Sequence, residues 1–403
     1  MQISTNPVDA ANLTPIISKV LEIEDITRGD PKENYIARYR GKLLVDSISA
    51  YDSLAETLKP YDITPLFRKE KEQHIIILMQ GIIQPKPSNP WINLLLFIIT
   101  FLSVIFAGAL YAYDGPQPKD LLDLLLSILR SLPAGIPFAI SLLAILLAHE
   151  FGHYLAGRFH KTHVTLPYFL PLPFSPFGTL GAFIQLKEPP RNKRVLLDIG
   201  LAGPLAGLVV AIPILFLGLS LSELSPIEAT SGLMLEGNSL LYLGAKFSVF
   251  GKLLPAPVHY DIAPIFYWIR YFFTSQPLPI GGMDVLIHPV AWAGWAGLLV
   301  TALNLIPAGQ LDGGHVVYTL LGKRARAFFP FILVMLILMG FFWNGWWLWA
   351  VLLLFLGRFY AEPLDQITEL DARRRWMAIL GFLIFLLTFT PVPLYQTIAL
   401  GIP

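Results

Sequence analysis

Long apolar runs broken by short charged clusters fill the chain from residue 91 onward, whereas the first 88 residues alternate polar and apolar positions on a finer scale. A helix needs about 20 consecutive apolar residues to cross a bilayer. Stretches 91–112, 134–157, 195–219, 289–306 and 375–394 read as such spans. Stretch 327–357 is too long for one upright helix and short for two. Asn344-Gly345 offers a turn, so it reads as a tight helical pair. The pattern therefore predicts a polytopic α-helical membrane protein of about seven transmembrane helices.

Residues 1–88 predict a small α+β soluble N-terminal domain, and 89–403 the transmembrane domain. Stretch 34–41 reads as a strand and 47–58 as a helix. Two more strands, 62–67 and 74–79, flank the charged turn 69–72. Pro85, Pro87 and Pro90 mark a linker. The N-terminus carries Asp9, Glu22, Glu24 and Asp25, which fits neither a signal peptide nor a transit peptide.

Composition supports lipid as the solvent. Of the 403 residues, 55% are hydrophobic and only 14% charged, against about 25% charged in soluble domains. The net charge of +1 names no partner, and no nucleic acid is expected. With no cysteine, disulfides, thiolate ligands and a Cys nucleophile are excluded, so a metal must use His and carboxylate.

Local charge orients the spans. Loop 157–194 carries Arg158, Lys161, Lys187, Arg191, Lys193 and Arg194, while the longer 220–288 stretch has only Lys246, Lys252 and Arg270. Lys323, Arg324, Arg326, Arg358 and Arg373 to Arg375 fall on the side of the basic loop. The positive-inside rule then puts the N-terminal domain in the cytoplasm and the C-terminus outside, in a cell membrane or an organelle membrane. The aromatic stretch 262–273 reads as interfacial.

Chemistry concentrates in two motifs. His149-Glu150-Phe151-Gly152-His153 lies in the second span. Residues i and i+4 share a helix face, so both imidazoles can bind one ion. Glu150 lies beside them as a general base for a water that zinc acidifies to a pKa of about 7. Ionisable groups at membrane depth cost at least ~2.5 kcal/mol each and are usually functional, which disfavours two merely structural histidines. A tetrahedral site lacks one further ligand. Asn304-Leu305-Ile306-Pro307-Ala308-Gly309-Gln310-Leu311-Asp312-Gly313-Gly314 offers Asp312. Pro307 and the glycines break the helix there, and such breaks are tolerated in a membrane only where they line a cavity or pack in protein. The competing role for Asp312 is to cap a helix at 314–321.

The two motifs together resemble the site-2 protease family of intramembrane zinc metalloproteases. The second matches its N-x-x-P-x-x-x-x-D-G pattern, and Ala202-Gly203-Pro204-Leu205-Ala206-Gly207 between them is also similar. The resemblance covers about residues 134–325. It extends to the cyanobacterial and plastid branch, which has a soluble N-terminal extension. It implies Zn2+ held by His149, His153 and Asp312, with Glu150 as base and Asn304 helping to position substrate. It also implies single-span transmembrane protein substrates within the lipid bilayer. Some relatives in that branch lack the His-Glu pair, which this chain retains.

Proline-rich stretch 166–188 cannot span a membrane, but 178–185 has strand character. Proteases often hold substrate as an added strand. Gly178, Gly181 and Phe183 are therefore candidate substrate-binding residues, with a plain surface hairpin as the alternative. Asp198 reads as a helix-start carboxylate, with tuning of the metal site from behind its ligands as the alternative, His160 and His163 as solvated, and the 203–207 small residues as helix packing. His315 is a weaker ligand than Asp312, and His74, His259 and His288 lack ligand spacing. Two other classes stay open: a catalytically silent membrane binding protein, and a transporter, which the lack of repeated halves disfavours.

Overall fold

The computed structural model describes residues 10–29, 35–111, 113, 115, 119–228, 234–357 and 359–396. Asp9, Asn34, Ala112 and Arg358, used above, lie outside them. The N-terminal part runs α1 (Ala10–Ile17), β1 (Leu21–Arg28), β2 (Tyr35–Leu43), α2 (Ser47–Leu58), β3 (Ile63–Glu70) and β4 (Gln73–Gln80). The sheet is antiparallel in the order β1-β2-β4-β3. Asp46 starts α2 by accepting from the amides of Ile48 and Ser49. Ala50, Leu54 and Leu58 then fall on one buried face. Along β3, alternate residues Ile63, Pro65 and Phe67 point into the core, where Leu13, Ile17 and Tyr39 join them. The sequence pattern predicts no strand at 21–28: Leu21 and Ile23 face the core, but a bulge between Ile23 and Asp25 breaks the alternation, and Glu22, Glu24 and Asp25 are exposed.

The membrane part begins with α3 (Pro90–Tyr111) and α4 (Leu121–Phe159). A hairpin of β5 (Tyr168–Pro171) and β6 (Thr179–Phe183) precedes α5 (Lys193–Ser220). Then come β7 (Glu223–Pro226), β8 (Met234–Glu236), α6 (Leu240–Phe250), α7 (Pro264–Thr274) and β9 (Met283–Leu286). The chain continues through α8 (Pro289–Asn304), α9 (Asp312–Leu321), α10 (Phe329–Met339), α11 (Gly345–Leu356) and α12 (Ala372–Thr388), and β10 (Leu394–Gln396) pairs with β8.

Among the described residues, α3, α4 and α5 are long and apolar enough to cross a membrane. With 16, 11, 12 and 17 residues, α8, α10, α11 and α12 would be about 24, 17, 18 and 26 Å long, short of a ~30 Å hydrocarbon core. The pair expected at 327–357 is present as α10 and α11. In contrast, α4 has 39 residues and starts well before 134. Asp120 caps it, and the helix continues through Pro133 and Pro137, which in sequence look like its beginning.

The bundle core is where α4, α5 and α8 meet, around Leu142, Leu146, Ala211, Leu215, Trp295 and Leu299. The β5–β6 hairpin is exposed on one side, at Leu180 and Phe183, and anchored to α3 on the other. Asn93 of α3 donates to the carbonyls of Leu166 and Pro167, both at 2.9 Å, and Ser103 donates to the carbonyl of Gly178 at 2.5 Å. Ten residues of α3 separate these anchors, so the hairpin follows α3 for about 15 Å.

The two parts are joined through the outer edge of β3. The Phe67 amide donates to the Leu364 carbonyl at 2.9 Å, and the Gln366 amide to the Phe67 carbonyl at 3.0 Å. On its other side, this segment donates from Asp365 to the carbonyl of Arg191, just before α5. A sheet edge left open would be a template for other chains, and here it is covered. The Asp365 side chain is fully buried and accepts from the amides of Ile367 and Thr368.

Asp365→Ala leaves those amides without an acceptor, at a cost of about 1–3 kcal/mol. Amide hydrogen exchange in β3 and at 364–368 should accelerate about tenfold or more, with α4 unchanged. Unchanged exchange at 364–368 would show that Asp365 does not hold the junction.

Candidate metal centre

His149 and His153 are one turn apart on α4, both buried, with ring centroids 4.9 Å apart. The orientation of the second ring is fixed from α5. His153 Nδ1 lies 2.7 Å from the Ile199 carbonyl, so it carries the proton and leaves Nε2 as a lone pair directed inward. His153 Nε2 is 3.2 Å from His149 Nε2. Asp312 Oδ2 stands 3.4 Å from His149 Nε2 and 3.3 Å from His153 Nε2. Three acceptor atoms thus form a nearly equilateral triangle, and three lone pairs aimed at one point repel unless a cation lies between them. Tetrahedral Zn2+ with bonds of about 2.0–2.2 Å has ligand atoms about 3.3–3.6 Å apart, so the triangle fits the ion.

The third corner depends on the chain between α8 and α9. Helix α8 ends at Asn304, whose Nδ2 is 3.3 Å from His149 Nε2. Pro307 follows, and Gly309 takes a left-handed φ of 56°. A Cβ at Gly313 would come within 2.0 Å of the Leu305 carbonyl, so only glycine lets the loop double back this tightly. Asp312 then becomes the first residue of α9, two positions earlier than the 314 start considered from sequence. The N-cap is Leu311, without a side-chain cap bond, and the Asp312 carboxylate faces the histidines.

The small-residue motif of α5 has a function that sequence reasoning missed. A Cβ at Gly203 would meet His153 Nε2 at 2.0 Å, and one at Gly207 would meet His149 Nδ1 at 3.2 Å. From the other side, a Cβ at Gly152 would lie 2.4 Å from the Ala202 carbonyl. The glycines therefore form the space that the imidazoles occupy, in addition to bringing α4 and α5 together. Their spacing was the available signal, but spacing alone does not say what faces them.

Glu150 is buried. One cavity of about 180 Å3 is lined by His149, Glu150, His153, Phe183, Asn304 and Asp312. Gly178 lies instead against α3, and Gly181, with φ of 99°, has no atom within 4 Å of a would-be Cβ. His315 also borders this cavity but is not in the three-residue cluster, and its Nδ1 is buried without a partner among the described residues.

Asp198 and His160 are not the solvated or helix-start groups their sequence positions suggest. Asn192 caps α5, and Asp198 is a turn and a half further on. Arg374 of α12 grips Asp198 with two hydrogen bonds, Nε to Oδ1 at 2.9 Å and Nη2 to Oδ2 at 2.6 Å. His160, at the end of α4, adds a contact of 2.9 Å. The clamp ties α4, α5 and α12 together next to Ile199, the residue that orients His153.

A helical membrane protein with a His–His–Asp centre set between its long helices is the class that fold and site define. The model of peptidase family M50 matches residues 137–342, which include all three of these residues. The chain belongs to peptidase family M50. It is 31% identical over 344 residues to a probable chloroplastic zinc metalloprotease, EGY1, of Oryza sativa subsp. japonica, covering 80% of this chain and 54% of that protein. The EGY1 protein of Arabidopsis thaliana is 28% identical over 386 residues, covering 91% and 65%. A probable zinc metalloprotease EGY2 of Oryza sativa subsp. indica is 26% identical, covering 91% and 63%. The chain thus spans between half and two thirds of these relatives. No solved structure matches it.

Two substitutions separate ligand loss from loss of space. Asp312→Ala removes one corner of the triangle, and Gly203→Ala places a methyl where His153 Nε2 lies. Metal analysis of purified protein should find about one zinc per chain in the unmodified protein, and severalfold less in both variants. Full retention in Asp312→Ala would refute the site.

Proposed function

We propose that this chain is an intramembrane zinc metalloprotease of the site-2 type. The observation that carries this reading is the His149–His153–Asp312 triangle next to buried Glu150, in one cavity at the end of β6. His149, His153 and Asp312 would hold the ion, which supplies Lewis acidity toward a carbonyl and activates water at neutral pH. Glu150 takes the proton from the attacking water and delivers it to the leaving amine. Asn304, at the rim next to His149, presents its amide to the substrate carbonyl.

The substrates are single-span membrane proteins, and extended substrate is held alongside β6 near Phe183. Residues 1–88 act as a separate soluble unit on the cytoplasmic side, while α8 and α10 to α12 complete about seven crossings with help from flanking segments. A reporter fused at the N-terminus should read cytoplasmic and one near 250 external. The inverse pattern would overturn this orientation and leave the chemistry intact.

Glu150→Gln keeps the shape of the side chain but cannot act as a base. It should retain zinc and lose at least about 100-fold in cleavage rate. Near-normal turnover in a reconstituted assay would refute its role.

A transmembrane helix shields its own peptide bonds, so cutting requires local unwinding. In a helix interior Gly costs about 1 kcal/mol relative to Ala, and Pro about 3. Replacing Gly or Pro near the cut with Leu should slow cleavage, as should Phe183→Pro in β6. Equal rates for an all-Leu helix would show that unwinding is not limiting.

A further inference from the structure

At the opposite end of the bundle from the metal centre, α3, α4 and α8 open onto a second cavity of about 750 Å3. Phe138 in its wall precedes His149 by eleven residues of α4, or about 16 Å along the helix. The bundle side of the wall is aromatic, with Tyr111 packed edge-on against Trp292 at 5.7 Å and against Phe138 at 6.4 Å. The facing side is acidic: Glu228 at the exposed rim, and Glu236 and Asp284 deeper in, both more than nine-tenths buried.

One described cation stands near these carboxylates. Lys246 is fully buried, with Nζ 3.5 Å from Asp284, 3.9 Å from Glu236 and 4.5 Å over the Tyr242 ring, and it makes no hydrogen bond among the described residues. One ammonium against three carboxylates leaves the cavity short of positive charge. Burial, and then the charge of Asp284, push the Glu236 carboxyl upward, which a further cation would counter. Trp292 adds a second requirement. It is 7% exposed, and its indole N–H has no acceptor among the described residues. A buried donor of this kind costs free energy until something accepts from it.

A ligand that meets both demands carries a cation and a neutral acceptor. A basic peptide has both, whereas the phosphate of a phosphocholine headgroup would meet three carboxylates of its own sign. We propose that this cavity binds a Lys or Arg side chain of a peptide segment, with the cation on the carboxylates against the aromatic wall and a backbone carbonyl available to Trp292. On the proteolysis reading, on which this identification of the segment rests, it is the flank of the substrate helix at the membrane face opposite the metal centre.

The test uses the full chain carrying Glu150→Gln in detergent, with a labelled single-span peptide whose flank at that face is Lys-Lys, Gln-Gln or Glu-Glu, read by fluorescence anisotropy. The Lys flank should bind about tenfold tighter than Gln at low salt, and the gap should shrink as salt is added. Glu228→Lys, a change at the exposed rim, brings the count to two ammoniums against two carboxylates and should abolish most of the Lys preference. Asp284→Asn should lessen the Lys preference. Equal binding of the three flanks by the protein with Glu228 intact, an undiminished Lys preference in Glu228→Lys, or tighter binding of phosphocholine than of the Lys-flanked peptide would overturn the proposal. Cleavage by the unmodified protein is scored separately. Cutting without flank preference removes this site and leaves the protease reading, while flank preference without cutting does the reverse.

Discussion

Two imidazoles and a carboxylate directed at one another across 3.2–3.4 Å, in a buried site among apolar helices, are the constraint to which the surrounding structure answers. Each group would be costly alone at that depth, and together without a cation they would be costlier still. The chain holds them there from three directions: α4 supplies the histidines, α5 fixes the tautomer of one through Ile199, and the loop after α8 returns Asp312 to the same level. The glycines at 203, 207, 309 and 313 follow from this demand for space and tight turning. The Asp198–Arg374 clamp secures the same region against α12.

That arrangement also links the N-terminal sheet to the centre. The segment 364–368 extends the edge of β3 and is hydrogen-bonded to the residues that start α5. A few residues later, Arg374 reaches Asp198, beside the carbonyl that orients His153. The contacts form a continuous packed path from the sheet edge to the centre, and the path consists of backbone pairing and a bidentate ion pair rather than apolar contact alone.

Much of the site was legible because its chemistry is local. The i, i+4 spacing of His149 and His153 needs only a helix, and Asn304, Pro307 and Asp312 lie within nine residues of one another. The α2, β3 and β4 elements were readable from period alone. What was not readable depended on faces that sequence does not display. Strand β1 alternates only over Leu21 to Glu24 before a bulge at Ile23–Asp25 breaks the period, so its signal is short. The start of α4 was hidden because Pro133 and Pro137 signal a break, yet the bundle keeps the helix continuous around them. Gly203 looked like a packing residue until His153 was seen against it, and His160 and Asp198, 38 residues apart, gave no hint of being partners. The hairpin at 166–188 was recognisable as non-spanning, but its anchoring along α3 rests on Asn93 and Ser103, polar residues that look incidental in an apolar run.

The central proposal is that these three side chains, and no others among the described residues, form the protein's share of one metal site. Zinc-edge X-ray absorption on the purified full chain reads that directly. The account predicts about four nitrogen or oxygen neighbours at 2.0–2.2 Å, with the multiple-scattering signature of two imidazoles, falling to one in His153→Ala. A spectrum with one or three imidazoles in the unmodified protein, or one unchanged in His153→Ala, would contradict it.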